Sequence, residues 1–161
     1  MFIGPCYILK NLGVSISTAI TVIQLKAGVN GPIEILRSSL TNGSVATSAQ
    51  YAAALLMRKT AGATVTTGVA GTTVLKQNPV NPTTDASLGT TATGITATGE
   101  GTNGEEAVTR GFNDLNGAEW LATPEERILV AQGGIIAQTF KVAPQSATRY
   151  GEISFRELRG G

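Results

Sequence analysis

Apolar and polar positions alternate in short runs along this chain, and turn residues separate the runs. In residues 20–27, Ile23, Leu25 and Ala27 alternate with Gln24 and Lys26, the period-two pattern of a half-buried strand. Residues 135–142 set Ile136, Gln138, Phe140 and Val142 against Ile135, Ala137, Thr139 and Lys141. Residues 150–158 set Ile153, Phe155 and Glu157 against Glu152, Ser154 and Arg156. Gly133-Gly134, between runs at 127–131 and 135–142, predicts a hairpin. Residues 7–12 and 14–17 read as one opening strand broken at Gly13. Residues 33–40 alternate less cleanly, but Pro32 and their β-branched content favour a strand. Short strands are expected at 108–112 and, around Trp120, at 119–121, with a charged turn at 124–127.

Residues 51–58 fit two readings. Their Ala, Leu, Met, Arg and Lys are good helix formers and Ser48 is a candidate cap. The run falls short of the roughly 10–12 residues of a clear helix, so a buried strand is preferred and a helix stays open. Four Asn-Gly pairs, at Asn30-Gly31, Asn42-Gly43, Asn103-Gly104 and Asn116-Gly117, are the preferred chemistry for tight hairpin turns. About eight short strands without a convincing amphipathic helix argue for an all-β sandwich or barrel.

Residues 60–104 break this pattern. They consist almost wholly of Thr, Gly, Ala and Val, with Lys76, Asp85 and Glu100 as their charges, and no aromatic residue lies between Tyr51 and Phe112. Such a segment is too small-sided to build a core and too weakly charged for an ordinary solvated linker. Its Thr suits extended backbone and its Gly opposes helix. The expectation is one domain over residues 1–161, with 60–104 as an extended arm inserted between strands and lying on another protein surface.

Composition narrows the chemistry. The chain has 161 residues and a formal net charge of +1, with the signs interspersed, so neither a nucleic-acid surface nor a polybasic membrane surface is indicated. Arg149, Arg156 and Arg159 form a local basic excess, but Glu152 and Glu157 sit among them, and a solvated strand face is expected. There is no His and Cys6 is the one Cys, so Ser-His-Asp, Cys-His and Cys/His-zinc chemistry are excluded, as is an internal disulfide. No secretory signal pattern is seen, Met1 to Pro5 lacks the features of a lipoprotein anchor for Cys6, and no apolar run reaches about 18 residues. Synthesis and assembly in the cytoplasm are expected.

The remaining constellations have plain structural readings. Glu105-Glu106 and Glu125-Glu126 are paired acids, but neighbours on an extended chain point to opposite faces, and solvated loop acids are expected. Residues 113–119 space oxygen ligands suggestively for Ca²⁺ around Asp114 and Asn116, yet depart from the EF-hand order; a turn with Asx bonds explains them equally well. Gly99, Gly101 and Gly104 lack the spacing and following helix of a phosphate loop. Trp120, with Phe112, is read as core ahead of a partner or sugar anchor. Leu158-Arg159-Gly160-Gly161 matches a ubiquitin-like conjugation tail only by coincidence. No catalytic, cofactor-binding or metal-binding residue is assigned.

Three segments carry a family likeness: Val14 through Ser17, with Ile23-Gln24-Leu25 and Ile33 through Arg37; Leu55 through Arg58 running into the Thr/Gly arm; and Phe112-Asn113, Trp120, Pro124 through Arg127 and Ile153 through Glu157. Their order resembles that of the cement or decoration proteins of tailed phages, which have a jelly-roll-like β-sandwich. The resemblance spans most of the chain and rests on order and spacing. It implies an all-β, jelly-roll-like sandwich of about eight strands and a non-enzymatic homotrimer without cofactors. It also implies a place on the outer capsid surface of a virion, where the protein bridges neighbouring subunits of the major capsid protein. The alternative function is a tail, fibre or head-spike protein that binds a host-surface glycan.

Overall fold

A computed structural model describes residues 4–11, 13–17, 21–43, 48–63, 72–82, 84, 86–89 and 100–158. They form β1 (Cys6–Asn11), β2 (Val14–Ile16), β3 (Thr21–Lys26), β4 (Ile33–Asn42), β5 (Gln50–Ala63) and β6 (Thr72–Lys76). There follow β7 (Ser87–Gly89), β8 (Glu100–Asn113), β9 (Ala118–Leu121), β10 (Ile128–Val130), β11 (Ile135–Phe140) and β12 (Ala147–Glu157). No helix is present among the described residues, so the strand reading of 51–58 holds over a longer span. Its helix-forming side chains are overruled because β5 pairs on both edges, with β11 and β8, and buries Leu55 and Leu56.

The strands make two sheets. A seven-stranded sheet runs β10-β4-β12-β1-β6, with β9 also on β4 and β2 also on β12; a five-stranded sheet runs β7-β3-β11-β5-β8. The pairs β1–β12, β3–β11, β4–β9/β10 and β5–β8 are all antiparallel. The chain is therefore one long hairpin ribbon, its first half zipped in reverse order onto its second and wrapped into two facing sheets. That strand order is the jelly-roll-like arrangement. The break at Gly13 separates β1 from β2, which lie end to end along β12.

This wrapping corrects the turn predictions. Gly133-Gly134 does not close a hairpin, because β10 lies in one sheet and β11 in the other. None of the four Asn-Gly pairs joins two strands paired to each other. Asn30-Gly31 and Asn42-Gly43 stand where the chain passes from one sheet to the other, Asn103-Gly104 lies within β8, and Asn116-Gly117 links β8 to β9 of the opposite sheet. A loop that must arch across roughly 10 Å between packed sheets cannot be a two-residue hairpin turn. Gly117, at φ 70°, still uses the left-handed backbone that Asn-Gly favours.

Between the sheets lies one core. Tyr7 stacks on Phe155, with ring centroids 5.4 Å apart, and Phe112 tilts against Phe140 at 6.2 Å. Trp120 is buried among them, as expected for a core residue. Two hydrogen-bonded side chains stitch the sheets together. Gln138 Nε2 donates to Ser38 Oγ at 2.7 Å and to the carbonyls of Ser39 and Glu152, and Ser38 Oγ donates to the Leu55 carbonyl at 2.9 Å.

Candidate interaction surfaces

The segment 60–104 divides into parts with different positions. Its two ends belong to β5 and β8. Between them, the described residues of 72–89 return as a strap across the far side of the sandwich, with β6 on the edge of β1 and β7 on the edge of β3. Side-chain and main-chain hydrogen bonds hold the strap where it crosses from one sheet to the other. Tyr7 Oη donates to the Pro82 carbonyl at 2.9 Å, Asn81 Nδ2 donates to the Cys6 carbonyl at 3.0 Å, and Gln77 N donates to that same carbonyl. Thr84 Oγ1 donates to Glu157 Oε1 at 2.6 Å, and Ala86 is buried against the core. The strap's described residues therefore lie on this chain's own sheets. Residues 64–71, 83, 85 and 90–99 of this segment lie outside the described residues.

The ends of β5 and β8 outrun their sheet. Strand β11 accompanies β5 only as far as Lys59, opposite Ile135, whereas β5 and β8 stay paired out to Ala63 and Glu100. The result is a two-stranded ribbon with exposed Thr60, Gly101, Thr102 and Asn103. Such a ribbon is marginally stable by itself. Register shifts recur along β5–β8 between Ala54 and Ala61, the last of them within the ribbon, and charged Glu105 and Glu106 lie along β8, the sheet edge; both features oppose indiscriminate edge pairing.

At the opposite end of the sandwich, three connections converge on Arg149, which is fully buried with Asp114. Arg149 Nη1 donates to Asp114 Oδ1 at 2.6 Å and to Asn42 Oδ1, and Nη2 donates to the Gln145 carbonyl at 2.9 Å. Its guanidinium lies 5.2 Å from the Phe140 ring centroid. Asn42 Nδ2 donates in turn to the Asp114 carbonyl. One side chain thus ties the end of β4, the β8–β9 turn and the β11–β12 connection into a rigid platform, on whose surface Leu115 and Val142 are exposed.

This arrangement overturns one sequence expectation. The C-terminal charges are not a solvated face: Arg149 and Glu157 are buried, Arg156 pairs with Glu34, and Glu152 pairs with Arg37 at 3.1 Å. Arg159 lies outside the described residues. In the oxygen-rich 113–119 turn, the oxygen atoms serve the turn itself and a buried ion pair. The cation that Asp114 holds is a guanidinium, and Asn113 Oδ1 accepts from Leu115 N in an Asx turn.

The paired acids diverge. Glu105 bonds Arg58 at 3.1 Å, whereas Glu106 bonds Lys141 at 2.8 Å and accepts from Thr109. They lie in β8 and not in a turn. The Lys141 hydrogen bond, followed by that of Thr109, holds the Glu106 carboxyl below its ordinary pKa. A carboxylate depressed in this way contributes its contact at neutral pH and loses it as pH falls through the lowered value. Glu125 and Glu126 are exposed in the β9–β10 turn, Gly101 and Gly104 lie within β8, and Gly99 is outside the described residues. Comparison of the chain with protein family models, with curated proteins and with solved structures finds no match.

Proposed function

We propose that this chain is a structural virion protein. It binds the outside of a tailed-phage capsid as a homotrimer and stabilises the shell by bridging neighbouring subunits of the major capsid protein. The reading assigns it no catalytic residue, no cofactor and no nucleic-acid or membrane partner. The observation that carries it is the β5–β8 ribbon, which continues beyond the end of β11 with Thr60, Gly101, Thr102 and Asn103 exposed. An extended ribbon of this kind suits a flat protein surface, where main-chain hydrogen bonds supply affinity and small side chains allow close approach. Several copies on a repeating lattice multiply weak contacts by avidity.

The test is co-sedimentation of the purified chain with expanded tailed-phage shells, followed by heat challenge of the loaded and bare shells. Binding to the shells and a raised disruption temperature are expected. Absence of binding, or loaded shells that break at the same temperature as bare ones, would refute the reading. Particles in which labelled antibody marks only the tail would favour the glycan-binding alternative.

A further inference from the structure

The two margins of the seven-stranded sheet differ in chemistry. At one margin, β6 carries Leu75, 40% exposed, on the outer face; beside it, β1 sets Ile8 opposite Leu75 and places Lys10 on that same face, while Lys76, opposite the buried Tyr7, is exposed at the end of β6 on the other face. At the other margin, β9 and β10 carry Leu121 and Leu129, 69% and 51% exposed, and the turn between them bears exposed Glu125 and Glu126. The face between the margins is occupied by ion pairs of its own, Arg37 with Glu119 and Glu152, and Glu34 with Arg127 and Arg156. Exposed leucines therefore stand beside positive charge at one edge and beside negative charge at the other, about four strand spacings or ~19 Å away.

We propose that these margins bind each other between copies of the chain, β6 of one copy against β9–β10 of the next. Three features fit a second copy as the occupant: the charges are complementary, both patches are apolar at their centres, and both margins are sheet edges that the contact covers. The contact is heterologous. Each copy carries one margin of each kind, so copies join head to tail, and a closed ring leaves neither margin bare. The proposal deepens the reading of the preceding section by naming the surface of its oligomer, and takes only the ring size from it.

Sedimentation velocity across a concentration series tests it. One variant reverses the first margin (Lys10→Glu with Lys76→Glu) and another reverses the second (Glu125→Lys with Glu126→Lys). The wild-type chain should associate, and association should weaken with salt. Each variant should associate at least about tenfold more weakly, and a chain carrying both reversals should recover. Leu121→Ser should also weaken association, and circular dichroism should report an unchanged fold for all of these surface changes. A wild-type chain that stays monomeric, or reversed margins that associate as the wild type does, would overturn the proposal. Wild-type oligomers that fail to bind shells would sink the shell reading and leave this contact standing; a monomeric wild type that binds shells would sink this contact alone.

Discussion

Arg149 is a fully buried cation in a chain of low charge, and its neighbours account for that. It exchanges water for Asp114, Asn42, the Gln145 carbonyl and the face of Phe140. Removing one partner leaves a charge without compensation. Asp114→Ala should cost about 3–5 kcal/mol in urea unfolding, and Arg149→Met a similar amount. The double substitution should cost clearly less than the sum of the two, because neither charge is then stranded. Strictly additive losses would mean that the pair is not coupled. The signal for this site was present in the sequence. Counting back by twos from Phe155 and Ile153 through Gly151 reaches Arg149, so alternation alone puts it on the inward phase, as it does Glu157. The mixed charges around it suggested solvent instead. What alternation could not supply was Asp114, a partner 35 positions away in another connection.

At the scale of elements, strand existence was legible and strand partnership was not. Alternation correctly marked β3, β11 and β12 as strands and the inward phase of β12, but β3 and β11 are buried on both phases, Gln24 and Gln138 included, and are not half-buried. It says nothing about which edge a strand meets, so Gly133-Gly134 predicts a hairpin although its flanks part into different sheets. The weakly patterned 72–89 gave no hint that it would seat on β1 and β3. The strap's polar fastenings make it a separable unit. Tyr7→Phe removes the hydroxyl that holds the Pro82 carbonyl while keeping the ring stacked on Phe155. The expected cost is about 1 kcal/mol. Amide hydrogen exchange in 72–76 should quicken, while exchange in β4 and β12 stays close to wild type, the behaviour of a local opening. Equal acceleration in every strand would show that the strap and the sandwich unfold as one unit.

For the whole molecule, the ribbon topology governs how the fold can be reached. The paired halves are far apart in sequence: β1 meets β12 with Cys6 opposite Arg156, and β3 meets β11 with Leu25 opposite Ile136. Only β5 and β8 are neighbours along the ribbon, and the strap is threaded between even those two. Almost every ladder therefore closes a long loop before it gains contacts, which slows folding. This order could not be deduced from composition or periodicity. Only the resemblance to cement proteins with a jelly-roll-like sandwich implies such an order, since each run of alternating residues fits many pairings equally well. The kinetic consequence is measurable with the single tryptophan, because Trp120 is buried in the core beside β4. Stopped-flow refolding followed by its fluorescence should proceed on the millisecond-to-second scale typical of all-β domains with distant pairings. If Trp120 reached its native signal entirely within microseconds, the core around it would be forming from local contacts, and the ribbon could not be zipping its distant halves before that core closes.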